Sequence, residues 1–299
     1  MVSSKCIVIV SFCFLYIAVS CTKSSSPANP VVIPPGFKLN YGDSILYRQN
    51  QAADYIVSPV GNTLTGTYTG FPEGIEIDTR TGAINVTKSE TGLRYRITFF
   101  PDGGTDSVST IIVLSGINFL DGFYKLTSSD SILRPLYNAT SGKPVPGAGG
   151  ASIFDEGSGC NNAGCNVNVG DGTINLAQTV RNGVFGATPA NNDRHEFTMN
   201  YRIDDNSGKA SNALHVKLYF FNTMADVTPE VYDIISSRQG TILQYNAFNN
   251  MPIVTASMNG PGIVANGPAI IASPNGANGV SGILKPAKPR PPCIFIIAK

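Results

Sequence analysis

The chain has 299 residues, a formal net charge of +1 and a charged fraction of only 14%. It therefore lacks the basic surplus that neutralises nucleic-acid phosphates, and we expect no nucleic-acid partner. The apolar fraction of 42% is ample for a folded core. Gly and Pro number 31 and 20, which is above average usage and predicts many turns between short strands.

The first 20 residues have the layout of a secretory signal peptide. Lys5 supplies a positive charge, residues 6–19 form an almost unbroken apolar run, and the residues before Cys21 are small. A helix needs roughly 20 apolar residues to span a bilayer, so this run is short for a span. We expect export of the chain and removal of residues 1–20.

Residues 18–21, Ala-Val-Ser-Cys, resemble the lipobox of bacterial lipoproteins. The resemblance implies lipidation at Cys21, attachment to the membrane through this N-terminal lipid, and an outer-membrane location. Residues 22–24 lack the acidic run of some surface-export signals, so the surface and periplasmic sides both stay open. The alternative is an ordinary signal peptide with a chance cysteine. Residues 21–36 are polar and then proline-punctuated, which predicts a lipidated tether.

The region from residue 37 to residue 116 carries a β pattern. Turn residues separate five short runs of strand-forming residues, at 41–47, 55–60, 63–68, 93–99 and 108–114. Among them, Ile75 and Ile77 alternate with Glu76 and Asp78, which predicts one apolar face and one wet face. The next residues predict a turn in which Gly82 takes a positive φ.

A spaced motif runs through the middle of this region, formed by Gly70, Pro72, Gly74, Ile75, Ile77, Asp78, Thr81, Gly82 and Ile84. It resembles the hallmark of the immunoglobulin-like, or cadherin-like, domains of bacterial surface proteins. The resemblance implies an Ig-like β-sandwich over residues 37–116 that serves spacing and interaction. The chain departs from the family at residues 85–87, and it lacks the acidic clusters that bind calcium in true cadherins. No calcium role therefore carries over.

Residues 118–299 predict a second, β-sandwich-like antiparallel domain, for which no family resemblance is found. Apolar and polar residues alternate over residues 195–203 and again over residues 214–221, with turn formers between the two runs. This pattern predicts a long antiparallel hairpin with one buried face.

The end of the chain predicts one short helix and several turns. Thr228 followed by Pro229 is typical of a helix start, and Gly240 of a helix end. Asn-Gly pairs between residues 259 and 279 predict hairpin turns. The apolar run at residues 293–298 predicts a final strand that closes the sheet.

Cys160 and Cys165 predict a disulfide. An exported protein meets an oxidising compartment, and the four intervening residues allow the two side chains to approach. The alternative is a metal site with His195 and His215. Those histidines fall on opposite faces of their strands and the spacing is no zinc signature, so we expect neither a metal nor a cofactor. Cys293 is then left without a disulfide partner, and we expect its thiol to be buried in a strand.

Lys217, Tyr219 and Phe221 form the candidate binding face. They share the side of their strand that lies opposite the predicted core side. Exposed aromatic rings beside a cation are typical of a binding surface. The alternative is a sheet covered on both faces, and the sequence leaves both interpretations open.

The sequence contains no catalytic motif that we could identify. Residues 157–159, Gly-Ser-Gly, lack the strand and helix of a nucleophile elbow, and the acidic pairs lie in predicted turns. We therefore expect an envelope-anchored lipoprotein that acts as a non-catalytic binding or adhesion module. The alternative is a glycan-binding accessory lipoprotein of a nutrient-uptake system. A hydrolase on a β scaffold is a third possibility, which no residue pattern favours.

Overall fold

The computed structural model describes residues 31–127, 131–238, 284–285 and 290–299. The predicted signal peptide, Cys21 and the tether up to residue 30 lie outside the described residues, as do Gly240 and the Asn-Gly turns. Within the described ranges the chain is built mainly from strands, and its helices are short. The prediction of an all-β fold is confirmed.

The strands are β1 Ile45–Leu46, β2 Ile56–Val57, β3 Gly66–Phe71, β4 Ile77–Asp78, β5 Ile84–Asn85, β6 Leu93–Pro101, β7 Val108–Leu114, β8 Ile117–Asn118, β9 Gly122–Lys125, β10 Ile132–Leu133, β11 Leu136–Tyr137, β12 Ile153–Phe154, β13 Ile174–Asn175, β14 Asp193–Arg202, β15 Asn212–Phe221, β16 Leu284–Lys285 and β17 Cys293–Ile297. The helices are α1 Gly159–Asn162, α2 Leu176–Arg181 and α3 Pro229–Arg238.

The first domain, residues 37–116 together with β16, is a sandwich of two sheets. One sheet has the strand order β1-β7-β6-β3 and the other β16-β4-β5-β2. Inward side chains of both sheets form one core, and Tyr95, Ile97, Ile77 and Ile84 in it are at most 1% exposed. Each such side chain stabilises the fold by about 1.5–3 kcal/mol through its burial. The sandwich that the sequence motif implies is therefore present.

The predicted turn after β4 is present. The N–H of Gly82 donates to the carbonyl oxygen of Asp78 at 2.8 Å, and Gly82 has a φ of 71°. The Asp78 carboxylate accepts the N–H groups of Thr81 and Arg80, each at 2.8 Å. The hydrogen bond from Thr81 is the main cause of the lowered pKa of Asp78.

The wet face predicted for Glu76 is wrong. Glu76 is only 6% exposed, and its Oε1 accepts the Asn85 amide at 2.9 Å. Its N–H donates to the Ser89 hydroxyl at 2.8 Å. The turn after β5 folds over this side of the strand. Polar groups of the protein therefore form the hydrogen bonds of Glu76 that water would form at an exposed site.

The second domain, residues 117–238 and 290–299, is centred on a five-stranded sheet with the order β12-β14-β15-β17-β9. The predicted hairpin is present as β14 and β15, in which Phe197 lies opposite Val216. However, β17 lies between β15 and β9 and runs parallel to both. The sheet is therefore mixed rather than purely antiparallel, and the final strand lies inside it. All five residues of β17 are buried, which is usual for a parallel strand covered on both faces.

One face of this mixed sheet is covered, and the other is covered in part. The loops with α1 and α2 pack on one face, against residues such as Met199 and Leu214. The helix α3 packs on part of the other face, where Val231 and Ile235 are buried. It begins at Pro229 as predicted. Three α-helices occur in the described ranges, where the sequence predicts one.

Strand pairing and side-chain packing, in addition to the connecting chain, join the two domains. The strand β16 pairs with β4 of the first domain, although α3 and β17, its neighbours along the described chain, belong to the second. The strands β8 and β11 pair with each other at the boundary. On β11, Leu136 packs into the core of the first domain and Tyr137 into that of the second. This pairing and packing joins the two bodies through their cores.

Candidate functional site

The predicted binding face on β15 is buried at its aromatic end. Tyr219 is 6% exposed and Phe221 is fully buried, in a cluster with Val231 and Ile235 of α3. The Arg194 guanidinium lies 5.1 Å from the centre of the Tyr219 ring, and burial raises the pKa of Tyr219 to about 12. The prediction of an exposed aromatic pair is therefore wrong. The apolar stripe of α3 covers this part of the sheet, so the alternative of a sheet covered on both faces holds here.

Lys217 lies at the open end of the same face, beyond α3. Its Nζ pairs with Glu196 Oε1 at 2.8 Å, and its side chain is one-third exposed. Two residues further along the same face, Thr198 Oγ1 and His215 Nδ1 are 2.9 Å apart. Such exposed polar pairs contribute about 1 kcal/mol or less to stability. This end is a polar, solvated surface without the stacking rings that the prediction needs.

Cys160 and Cys165 are free, buried thiols in the structure, not the predicted disulfide. Cys160 lies in α1, where its Sγ donates to the Thr198 carbonyl at 3.4 Å and its N–H donates to Asp155 at 2.8 Å. Burial raises the pKa of the Cys165 thiol to about 12 and that of Cys160 further. Buried thiols of this kind act as apolar packing groups. Cys293 is a buried thiol in β17, as predicted.

The described ranges contain neither a metal-binding cluster nor a membrane-spanning helix. No group of three or more His, Cys, Asp and Glu side chains is arranged there to hold a metal ion. None of the helices described there is long and apolar enough to cross a membrane.

An exposed surface that the sequence analysis missed lies on the first domain. Phe71 and Phe100 are 39% and 36% exposed, on the side of the β3–β6–β7 sheet that faces away from the core. The register places Phe71 opposite Arg96 and Phe100 opposite Thr67. The two rows are four residue positions apart along β6, which corresponds to about 13 Å. The outer face is defined as Thr67, Thr69, Phe71, Arg96, Thr98, Phe100, Ser109 and Ile111.

Hydroxyl groups lie between the two aromatic rows of the outer face. Thr98 Oγ1 and Ser109 Oγ are 2.8 Å apart, and Thr69 lies opposite Thr98. The Arg96 guanidinium lies 5.7 Å from the centre of the Phe71 ring. Exposed aromatic rings can stack on flat apolar surfaces of a ligand. The neighbouring hydroxyl groups and the guanidinium can hydrogen-bond to polar groups around those surfaces.

The sequence did carry a signal for this surface. Phe99 and Phe100 are adjacent on one strand, and side chains of adjacent strand residues point to opposite faces. Phe99 is fully buried, so Phe100 lies on the outer side.

A buried charge cluster lies where the two domains meet. The Asp121 carboxylate accepts Arg238 Nη1 at 3.1 Å, Arg290 Nη2 at 3.3 Å and the N–H of Cys293 at 2.7 Å. Asp121 and Arg290 are 8% and 10% exposed in their side chains. Arg238 also donates to the carbonyl of Pro291 at 2.5 Å. One carboxylate therefore holds the end of α3 and the segment that leads into β17.

Glu90 brings the first domain into this cluster. It lies just before β6, and its Oε2 accepts the N–H of Arg290 at 2.6 Å. Its Oε1 accepts the Asn118 amide at 3.4 Å. Burial raises the pKa of Glu90 to about 7, and the positive charges of Arg290 and Arg238 offset only part of that effect. The junction cluster is defined as Glu90, Asn118, Asp121, Arg238 and Arg290.

A second set of hydrogen bonds joins the domains. Thr91 Oγ1 lies 3.0 Å from the Tyr201 hydroxyl and accepts the Asn212 amide at 2.7 Å. The Ser115 hydroxyl donates to Asp205 at 2.9 Å. Breaking such buried bonds leaves unsatisfied polar groups, which costs about 1–3 kcal/mol each. These contacts fix the orientation of one domain on the other.

Comparisons with known proteins leave the family open. No family model matches the chain, and no curated protein matches it significantly. Among solved structures, the chain is similar to a crystal structure of human protocadherin-24 EC1-2, with a TM-score of 0.21 and 9% identity. That similarity covers 61% of this chain and 95% of the other. A score this low carries no argument, so the all-β assignment rests on the sheets themselves.

Proposed function

We propose that the protein is an envelope-anchored, non-catalytic binding or adhesion module. In this proposal, a lipid on Cys21 holds the chain at the outer membrane, and the first domain is a rigid spacer that carries the second. The observation that supports it is the position of the two attachment points of the first domain.

These attachment points lie at opposite ends of β6. At one end, the N–H of Val31 donates to the carbonyl of Asp102 at 3.0 Å, directly after the strand. At the other end, Glu90 and Thr91, which lie two to three residues before the strand, contact the second domain. A strand of nine residues spans about 30 Å. The segment from the proposed anchor therefore meets the first domain at one end of β6. The second domain is held at the other end, about 30 Å away.

The contacts between the two domains favour a fixed orientation of the second domain over movement relative to the first. A flexible pair of domains usually has a polar interface that few contacts cross. Here buried hydrogen bonds and the β16–β4 pairing cross the boundary, and β11 contributes Leu136 to one core and Tyr137 to the other. A rigid spacer keeps a distal domain clear of the membrane surface, which suits a protein that meets partners outside the envelope or in the periplasm.

The anchor is tested by Cys21→Ser in the full-length chain expressed in bacterial cells. Wild type should sediment with the membranes and carry the mass of a lipid at Cys21, because two acyl chains give stable attachment. Cys21→Ser should be soluble or stay unprocessed. Cys13→Ser, which changes a cysteine inside the apolar run, is the matched control and should fractionate like wild type. Wild type that is unlipidated and soluble would refute the anchor.

The outer face favours glycan binding as a second candidate function. Phe71 and Phe100 offer two exposed rings about 13 Å apart along the sheet, with hydroxyls between them. Sugar rings have flat apolar faces that stack on aromatic side chains and hydroxyl groups that pair with Thr and Ser. An extended saccharide chain could therefore contact both rings at once.

This second candidate is tested with Phe71→Ser and Phe100→Ser on an immobilised array of polysaccharides. Each ring should contribute about 1.4 kcal/mol or more, so each variant should bind a retained glycan about tenfold more weakly. Ile153→Ser, at an exposed apolar residue of the second domain, is the control and should bind like wild type. Retention that neither phenylalanine variant weakens would exclude the outer face as the glycan site.

A further inference from the structure

We infer that the second domain contains a strand-binding slot between β15 and β9, and that residues 290–299 are a separable peptide ligand of this slot. These residues include β17 and are called the β17 segment. The inference means that a copy of the segment, supplied as a free peptide, takes the place of β17 in the sheet.

Backbone groups line the slot on two sides. β17 runs parallel to β15, with Cys293 aligned with Lys217, and parallel to β9, with Ile294 aligned with Gly122. In the described part of the chain, β15 pairs with β14 and β17 but not with β9. Without β17, both neighbours would therefore present an unpaired edge to the slot, and such an edge is a template for the addition of a strand.

Hydrogen bonds from the main chain hold the segment at both ends. Before β17, the N–H of Lys217 donates to the carbonyl of Pro292 at 2.9 Å. After β17, the N–H of Ala298 donates to the carbonyl of Phe221 at 3.0 Å. When an extended peptide joins a sheet, main-chain bonds of this kind supply affinity for any sequence, and the side-chain pockets supply specificity.

The side chains of β17 determine which peptide the slot accepts. Ile294 and Ile296 belong to the core that α1 and α2 cover, and Cys293, Phe295 and Ile297 belong to the core under α3. All five are at most 1% exposed. The slot therefore accepts a strand that is apolar on both faces. A charged side chain on either face would be buried without a partner.

Polar groups at one end of the slot set the direction of the strand. Asp121, directly before β9, accepts the N–H of Cys293 at 2.7 Å and Arg290 Nη2 at 3.3 Å. Glu90 of the first domain accepts the N–H of Arg290 at 2.6 Å. A strand that ran the other way would bring its opposite end to these carboxylates and would lose these bonds. The slot therefore selects a parallel strand that an arginine precedes.

The test uses the full-length chain with a specific protease site inserted between Ala287 and Lys288 and cleaved after folding. We expect the two pieces to co-elute in gel filtration under native conditions, because the contacts described above lie within residues 290–299. The cleaved protein is then unfolded in denaturant and refolded with a large excess of a labelled peptide of residues 288–299. Most of the refolded protein should carry the label.

Two variant peptides make the uptake specific. The peptide with Ile296→Asp should not be taken up, because the charge would lie in the core. The peptide with Lys299→Ala is the matched control and should be taken up like the wild-type peptide, because Lys299 is exposed.

Three results would overturn the inference. The first is separation of the two pieces in native buffer after cleavage, which requires no refolding step. The second is refolded protein that carries none of the labelled wild-type peptide. The third is uptake of the Ile296→Asp peptide as efficient as that of the wild-type peptide.

Discussion

At the scale of single residues, Lys217 and Phe221 show how one strand face can have two environments. They lie four residues apart on the same side of β15. Phe221 is fully buried under α3, whereas Lys217 pairs with Glu196 at the surface. Alternation along the strand predicts only which residues share a side. It does not reveal that a helix from later in the chain covers half of that side.

This difference predicts unequal costs for two substitutions. Phe221→Ala should lower the free energy of unfolding by about 3–5 kcal/mol, because it removes a buried ring and leaves a cavity. Lys217→Ala should lower it by about 1 kcal/mol or less, because an exposed ion pair contributes little. Chemical denaturation of both variants measures the two costs. A Phe221→Ala variant as stable as wild type would mean that this ring is exposed, as the sequence first suggested.

At the scale of elements, the sequence predicted what local patterns encode. Strict alternation located β14 and β15, Pro229 located the start of α3, and the turn residues around Gly82 located the turn after β4. The central position of β17 was not predicted, although its uninterrupted apolar run is typical of a strand buried on both faces. Pairing between distant strands depends on contacts that no local pattern contains.

The candidate sites were harder to predict than the elements. Glu90 lies in the segment between β5 and β6, and its partners Asn118 and Arg290 are distant along the chain. Burial is the largest cause of its raised pKa, and burial of this residue requires the assembled junction. Cys160 and Cys165 carried a spacing compatible with a disulfide, yet α1 holds the Cys160 Sγ against the Thr198 carbonyl.

At the scale of the whole molecule, the proposed spacer role of the first domain requires a rigid connection between the two domains. Val31, which follows the proposed anchor segment, and the second domain attach at opposite ends of β6, and β16 and the junction cluster join the domains. If the junction were a flexible linker, the first domain would be only part of a longer tether. The rigidity of the junction therefore distinguishes a spacer from a tether.

Rigidity is measured most directly by the distance distribution between two spin labels. One pair joins Asp106→Cys, in the exposed turn after β6, to Arg181→Cys, on α2 of the second domain. A reference pair within the first domain joins Asp106→Cys to Asp43→Cys. Both pairs are introduced into the mature chain that also carries Cys21→Ser. We expect one narrow peak for the inter-domain pair, as sharp as the reference. A broad or multiple distribution beside a narrow reference would contradict the rigid spacer.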